Sequence, residues 1–310
     1  MPRLGRTDLD VFGLCLGGNV FGWTADEPAS FAVLDAYVRA GGNFVDTANS
    51  YMRPNPGISE TILGRWLAAR GGRDELVLAT KVGGSMPGQD NLRPETIAQA
   101  ARDSLARLQT DRIDLYYAHK EDRATPLADS LRAFDQLVRD GLVRHVGLSN
   151  HAPSRVAEAI AICEREGLAP ITVLQDHYNL LERDFEQELA PLCEEHDLAA
   201  APYFGLARGF LTGKYRPGAP AVESPRAGGA SVYLDDRGIA VLEALDEVAA
   251  AHGVPVAAVA LAWLRTRPAV VAPIASARNP QQLAELLPMA TLELGEDEAE
   301  RLTAAGRAAA

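Results

Sequence analysis

Eight short apolar runs recur along the chain, each followed by a longer polar-faced stretch: FGLCLGG, NFVDTAN, LVLATKVG, RIDLYYAH, VRHVGLSN, TVLQDHYN, LAAAPYF and AVVAPIAS. Most are continuous in hydrophobicity rather than alternating. Such runs suit parallel strands buried on both faces. Eight of them alternating with helical patterns predict a (β/α)8 TIM barrel rather than an open doubly wound sheet. No linker or low-complexity segment interrupts the series, so residues 1–310 are read as one domain.

The intervening stretches carry helix end signals. SFAVLDAYVRAGG stops at Gly41-Gly42 and SETILGRWLAARGG at Gly71-Gly72, where glycine supplies the left-handed residue that ends a helix. RPETIAQAARDSLARLQT puts Pro94 in a first turn and Ile97, Ala101, Leu105 and Leu108 on one stripe. PLADSLRAFDQLVRDGL, PSRVAEAIAICEREGL and DFEQELAPLCEEHDL follow the same scheme. Three additions to a minimal barrel are expected. Residues 2–10 would form a hairpin across the barrel bottom. The Pro- and Gly-rich stretch 212–235 would be a long loop on the rim, placed to close over a bound molecule. LGEDEAERLTAAGRAAA reads as an extra C-terminal helix.

Charge and cysteine content narrow the function classes. The formal net charge is −12, which disfavours nucleic acid and anionic membranes as partners. No run reaches the roughly 18 apolar residues of a membrane span; the nearest, LDEVAAAHGVPVAAVALAWL, is broken by Asp246, Glu247, His252 and Pro255. Cys15, Cys163 and Cys193 lack CxxC spacing and read as buried reduced thiols, which fits a cytoplasmic location. A monomer is the default expectation.

Barrels of this type place their chemistry at the C-terminal ends of the strands. There the second run delivers Asp46, the third Lys81 and the fourth His119, with Tyr51 on the loop just past Asp46. Taken singly, Asp46 reads as a helix cap, Tyr51 as a loop aromatic and His119 as a rim histidine. Lys81 at the end of an apolar strand resists that reading, because lysine is rarely buried there unpaired. Together the four form a proton-donating cluster. Asp46 and Lys81 are expected to keep each other ionised, and the lysine charge to lower the pKa of the Tyr51 phenol from about 10. Such a set suits carbonyl reduction: hydride to carbon, proton to oxygen.

The segments AGGNFVDTANSY, ATKVG, RIDLYYAHKEDRATP, VGLSNH, LQDHYNLLER, PYFGLARGFLTGKYR and PIASARNPQQLAELL make the chain resemble the aldo-keto reductases over nearly its whole length. The resemblance implies an NADP(H)-dependent enzyme that interconverts a small-molecule carbonyl and its alcohol, with Tyr51 as general acid/base, Lys81 and Asp46 tuning it, and His119 orienting the carbonyl. It assigns Ser149, Asn150 and Gln175 to the nicotinamide carboxamide and Tyr203 to the nicotinamide ring. Phe204, Leu206, Ala207, Gly209 and Lys214 fall on the pyrophosphate segment, and Ser276, Arg278, Gln282 and Glu285 on the adenosine stretch. Gly18, Asn19 and Asp46 join the cofactor set. Phe21, Trp23 and Met52, with Tyr51 and His119, are expected at the substrate mouth, edged by Lys120, Glu121 and Asp122. No metal is implied.

The chain departs from the family pattern at three places. Leu286 stands where many members carry Asn, Ser276 replaces the usual Gly after the eighth strand, and only MRPNPGI separates Tyr51 from Ser59-Glu60. Arg278 favours a cofactor carrying a 2′-phosphate, because guanidinium pairs bidentately with phosphate. Two other classes share the fold. A non-catalytic NADP-binding regulatory subunit would not need the four-residue cluster. A metal-dependent hydrolase would need clustered ligands, and His145 and His177 form no HxH pair.

Overall fold

The computed structural model describes residues 1–52, 55–220, 222–223, 225 and 227–307. Its strands are β1 (Cys15–Gly17), β2 (Phe44–Asp46), β3 (Val77–Val82), β4 (Ile113–Ala118), β5 (Val143–Ser149), β6 (Ile171–Gln175), β7 (Ala199–Ala200) and β8 (Ile274–Ala275). All are parallel, in the order β7-β6-β5-β4-β3-β2-β1-β8. The two ends of that series meet: Ala200 N donates to Ala269 O, Val271 N to Ala200 O and Ile274 N to Pro202 O. The sheet is therefore the expected (β/α)8 barrel.

Each predicted strand overlaps an observed one, β6 starting one residue before its predicted run, but β7 and β8 keep only two residues each. LAAAPYF and AVVAPIAS both carry a proline, Pro202 and Pro273, which has no N–H for the ladder. Closure at this seam runs through single bonds instead of a long register.

Around the barrel lie α1 (Glu27–Arg39), α2 (Ile58–Arg70), α3 (Pro94–Leu108), α4 (Leu127–Arg139), α5 (Pro153–Glu166) and α6 (Phe185–Glu195). A four-residue α7 (Ala227–Ala230) follows, then α8 (Asp236–His252), α9 (Val256–Arg265), α10 (Pro280–Leu286) and the C-terminal α11 (Glu296–Ala305). Pro94 opens α3 as expected, and Ile97, Ala101, Leu105 and Leu108 are all buried. Asp26, Asp235 and Asn279 cap α1, α8 and α10 by accepting from Ala29, Gly238 and Gln282 backbone N–H groups. The Ala-rich stretch is two helices, α8 and α9, bent by 97° at the break. Among the described residues no single helix is long and apolar enough to cross a membrane.

The hairpin forms through an Arg3–Asp10 antiparallel bridge and a Leu4 N to Leu9 O bond of 2.8 Å. Leu4, Leu9 and Val11 join the barrel interior beside Leu115, Tyr117 and Val173. They plug the end where the strands begin, leaving the opposite end for the site. The stretch 212–235 holds α7 and a 3-10 turn over Ser231–Tyr233; Ala221, Ser224 and Arg226 within it lie outside the described residues, as do Arg53 and Pro54 of the short loop after Tyr51.

Helices α2 and α3 approach closely at Gly64, where an added Cβ would overlap the Arg107 carbonyl oxygen and crowd the Leu108 backbone. Both obstacles are main chain, so the helices themselves must move. Gly64→Ala is expected to destabilise the fold by about 1–3 kcal/mol, measured as a lowered denaturant midpoint. An unchanged midpoint would show that the two helices slide apart without penalty.

Candidate active site

The C-terminal rim brings the four-residue cluster together. Asp46 is the last residue of β2, Lys81 the last but one of β3, and His119 follows β4 directly. Lys81 Nζ lies 2.7 Å from Asp46 Oδ1, 2.6 Å from Asp46 Oδ2, 2.7 Å from the Thr47 carbonyl oxygen and 2.9 Å from Tyr51 Oη. Lys81 and Asp46 are both buried. Gln175 Nε2 donates to Asp46 Oδ1 at 2.9 Å, and Tyr51 Oη lies 3.4 Å from Asp46 Oδ2. The Tyr51 and His119 rings meet edge to face at 5.9 Å. Asp46 caps no helix, since α2 begins after Gly57.

The electrostatics differ in one respect from the sequence-based expectation. Burial, reinforced by the Asp46 carboxylate, holds the Tyr51 phenol well above its ordinary value rather than below it. Lys81 cannot reverse this, because its charge is shared with Asp46 at shorter range. Burial depresses the Lys81 ammonium and Asp46 opposes that shift. Burial, with the positive charges of Lys81 and Lys120, pushes the His119 imidazole down to about 3. At neutral pH the site thus holds a protonated phenol and a neutral imidazole beside an ion pair.

A groove of about 850 Å³ starts at this cluster and runs across the rim to α10. Near the cluster it is walled by Ser149, Asn150, Gln175 and Tyr203. Asn150 sits in left-handed backbone (φ +55), which asparagine tolerates. Its Nδ2 lies 3.0 Å from the His119 carbonyl oxygen and 2.9 Å from Ser149 Oγ, and its Oδ1 accepts from Tyr203 Oη at 2.6 Å. His177 stacks on Tyr203 with ring centroids 5.5 Å apart. Neither Ser149 nor Asn150 caps α5, whose cap position is Ala152 with no side-chain bond.

Farther along, Phe204, Leu206, Gly209 and Lys214 form one wall, and Ser276, Arg278, Gln282 and Glu285 the other. The first wall turns through positive φ at Phe204, Ala207, Arg208 and Gly209. At Gly209 φ is +99, which a side chain would strain, and an added Cβ would reach within 3.7 Å of Lys214 Nζ. Ser276 Oγ donates to Asn19 Oδ1 at 2.7 Å, and Gln282 Oε1 accepts from the Arg278 N–H at 3.0 Å.

Some expected residues stand elsewhere. Phe21 does not face the mouth: it is fully buried among core side chains, because the chain turns inward after the 3-10 turn Gly18–Val20. Met52 is absent from the groove wall, held in left-handed backbone (φ +76) on the loop after β2. Trp23 lines the groove and is 42% exposed. Gly17 rather than Gly18 borders the groove; the Gly18 carbonyl instead accepts from Ser59 Oγ at 2.7 Å. Ala207 is buried behind the wall, and Lys81 lies off the groove wall, bonded to Asp46 and Tyr51. Arg208 and Asp176 were not foreseen. The ARG triplet of LARGF carried a readable signal, a second cation near Lys214, whereas Asp176 is one more acidic residue until the fold packs it.

The metal-site alternative fares differently. His145 bonds Asp8 of the hairpin at 2.7 Å, whereas His177 stacks on Tyr203 at the rim. Among the described residues no three His, Cys, Asp or Glu side chains are grouped to hold a metal ion.

A model of the Aldo/keto reductase family matches residues 13–307. The chain belongs to the aldo/keto reductase family. It is similar to an uncharacterized oxidoreductase, YrpG, of Bacillus subtilis strain 168, with 35% identity over 304 residues covering 95% of this chain and 92% of YrpG. It is similar also to Protein tas of Escherichia coli K12, with 33% identity, 95% of this chain and 94% of that protein. Norsolorinic acid reductase stcV of Emericella nidulans is 34% identical over 93% of this chain and 76% of its own length. Membership makes the chain an oxidoreductase of a family that reduces carbonyls with nicotinamide cofactors.

For an aldo/keto reductase the state of His119 matters, since a neutral imidazole can donate a hydrogen bond without adding a charge. His119 is expected to stay neutral from about pH 8 down to about pH 5, well below its ordinary value near 6.5. Its ring C–H resonance in NMR should not move over that range. A titration step near 6.5 would show that the imidazole is hydrated and not held neutral by Lys81 and burial.

Proposed function

We propose that this protein reduces an aldehyde or ketone to its alcohol, reversibly, with NADPH. The observation that carries the proposal is the bonded series Asp46–Lys81–Tyr51, whose Asp46 and Tyr51 line the groove. The cofactor, when bound, supplies the hydride. Tyr51 gives its proton to the carbonyl oxygen, and Lys81, 2.9 Å from Tyr51 Oη, stabilises the phenolate that remains. Asp46 keeps Lys81 charged in a buried place. His119 orients the carbonyl oxygen as a neutral donor.

The groove fits a nicotinamide dinucleotide by its donor chemistry. Amide and hydroxyl groups of Ser149, Asn150 and Gln175 near the cluster suit a neutral carboxamide. Tyr203 offers a ring face for the nicotinamide. The backbone turns of Phe204, Leu206, Ala207 and Gly209, with Lys214, suit a pyrophosphate. Ser276, Gln282 and Glu285 would hold the adenosine, with Gly18 and Asn19 behind them, and Leu286 gives that end an apolar contact in place of an amide. Arg278 would take a 2′-phosphate. On the substrate side Trp23 and Lys120 edge the mouth. A single 1–310 domain acting as a cytoplasmic monomer on small molecules completes the reading. A regulatory subunit without catalysis gains nothing from a buried Lys–Asp pair aimed at a phenol, and no observation favours it.

Mixing the protein with NADPH and a panel of aromatic aldehydes should show loss of reduced-nicotinamide absorbance. No turnover, together with no quenching of Trp fluorescence by NADPH, would overturn the proposal. Tyr51→Phe should lower kcat by about 10²–10⁴-fold while NADPH affinity stays nearly unchanged; a near wild-type kcat would remove Tyr51 as the acid. Arg278→Ala should weaken NADPH binding by about 10–100-fold and leave NADH binding unaltered. Equal losses for both cofactors would deny Arg278 a role at the 2′-phosphate.

A further inference from the structure

Two consecutive carbonyls near the end of β3 hold the backbone on either side of it. Lys81 O accepts at 3.3 Å from the Asn49 N–H, on the loop after β2, and Val82 O accepts at 2.7 Å from the His119 N–H, after β4. Strands β2 and β4 are the two neighbours of β3, so Ser50 and His119 meet across its end. Ser50 Oγ lies 3.3 Å from His119 Nδ1. At the same place β3 passes into Gly83-Gly84. A Cβ on Gly84 would overlap Ser50 Oγ and His119 Nδ1, so a side chain there would wedge the two apart.

His119 is fixed from its other sides as well. Its carbonyl oxygen accepts from Asn150 Nδ2 at 3.0 Å, and the Tyr51 ring flanks the imidazole edge to face. These contacts set where the ring stands. They do not decide which of its nitrogens carries the proton. A neutral imidazole has one N–H and one bare nitrogen, and the bond made by one sets the state of the other. Burial and the charges of Lys81 and Lys120 keep His119 in that neutral state.

The bond to Ser50 can be drawn in two ways. With the proton on Nδ1, the ring would donate to Ser50 Oγ, and the hydroxyl proton would need a second acceptor. Among the described residues Ser50 Oγ has no hydrogen-bond partner other than His119 Nδ1. With the hydroxyl donating to Nδ1, the bond is complete and the ring proton sits on Nε2. Among the described residues Nε2 has no partner. His119 lines the groove and Ser50 does not, so Nδ1 is engaged behind the wall and Nε2 is the nitrogen left for a ligand.

We propose that Ser50 is a positioning residue for His119: its hydroxyl donates to Nδ1 and holds the ring proton on Nε2. The inference rests on the reading that a carbonyl is reduced beside Tyr51. Only the form protonated on Nε2 can donate to that carbonyl oxygen; the other form presents a lone pair, which repels it. A ring free to exchange its proton between the two nitrogens would be competent for only part of the time, and productive binding would fall with the competent fraction. No proton passes between Ser50 and His119. The serine selects the form of the ring, and Tyr51 supplies the proton to the substrate.

The test uses isotope-labelled protein without cofactor at about pH 7, the His119 signals being assigned by their loss in His119→Asn. Two-bond proton–nitrogen NMR spectra tell a protonated ring nitrogen from a bare one. In the wild type Nδ1 should be bare and Nε2 protonated. In Ser50→Ala the two nitrogen shifts should move toward each other as the forms mix. A protonated Nδ1 in the wild type, or unchanged nitrogen shifts in the variant, overturns the role of Ser50. A serine that merely braced its loop would leave those shifts where they are.

Turnover gives a second readout. Ser50→Ala should lower kcat/KM for an aldehyde by about 3- to 10-fold, with NADPH affinity unchanged because Ser50 stands off the groove wall. A wild-type kcat/KM in the variant would equally remove the role. If neither protein turned over any aldehyde, the reduction reading would fail, whereas the nitrogen shifts would still decide whether Ser50 sets the state of the ring.

Discussion

The ion pair between Lys81 and Asp46 organises the open end of the barrel. Neither side chain is exposed, so each charge survives only because the other is within 2.6 Å. Removing one partner would leave an uncompensated buried charge, a loss of about 3–5 kcal/mol by the usual measure of such pairs. The pair also leaves bonding capacity on both sides. The ammonium reaches Thr47 and Tyr51, and the carboxylate accepts from Gln175 on β6, so strands β2, β3 and β6 are tied across the barrel by one polar knot. The strand ends deliver Asp46, Lys81 and Gln175 without any loop having to hold them, which makes their spacing a property of the sheet, and Tyr51 joins them from the loop after β2.

Behind the knot lies a second buried layer that fixes its backbone. Thr47 Oγ1 and Ser59 Oγ are 2.8 Å apart, and Ser59 also donates to the Gly18 carbonyl. Glu60, next in α2, accepts from Thr80 Oγ1 on β3 and pairs with Arg107 on α3. The residues flanking Asp46 and Lys81 in sequence, Thr47 and Thr80, are thus each bonded to α2. The Ser59-Glu60 pair makes its contribution from outside the groove. The short connection before it keeps α2 close to the strand that supplies Asp46, while the mouth itself is edged from another loop by Trp23.

The barrel and the four-residue cluster were legible because they depend on local order. Continuous apolar runs predict strands buried on both faces, and parallel strands fix which end of each faces the rim, so the sequence alone places Asp46, Lys81 and His119 together. Tyr51 followed from loop length. Phe21 and Met52 were not legible in the same way: both lie on loops, where one change of backbone direction decides whether a side chain meets solvent, groove or core. Phe21 is apolar enough for either fate, and the turn at Gly18–Val20 sends it inward. Strands β7 and β8 were shortened by single prolines that the apolar pattern does not register.

The Tyr51 phenol shows where pairwise reasoning from a sequence stops. A lysine beside a tyrosine favours the phenolate, and the neighbouring positions alone suggest nothing else. In the folded chain the same lysine is closer to a carboxylate, and that carboxylate is also 3.4 Å from the phenol. The loss of solvent penalises the phenolate most, and the carboxylate adds to that penalty. A protonated resting phenol is what a proton donor to a carbonyl needs. The ammonium regains its influence when the proton leaves, because only then does the oxygen 2.9 Å away carry a charge for it to stabilise. Interaction that grows as the reaction proceeds is the kind that accelerates it, so the raised resting value and the role proposed for Lys81 are consistent.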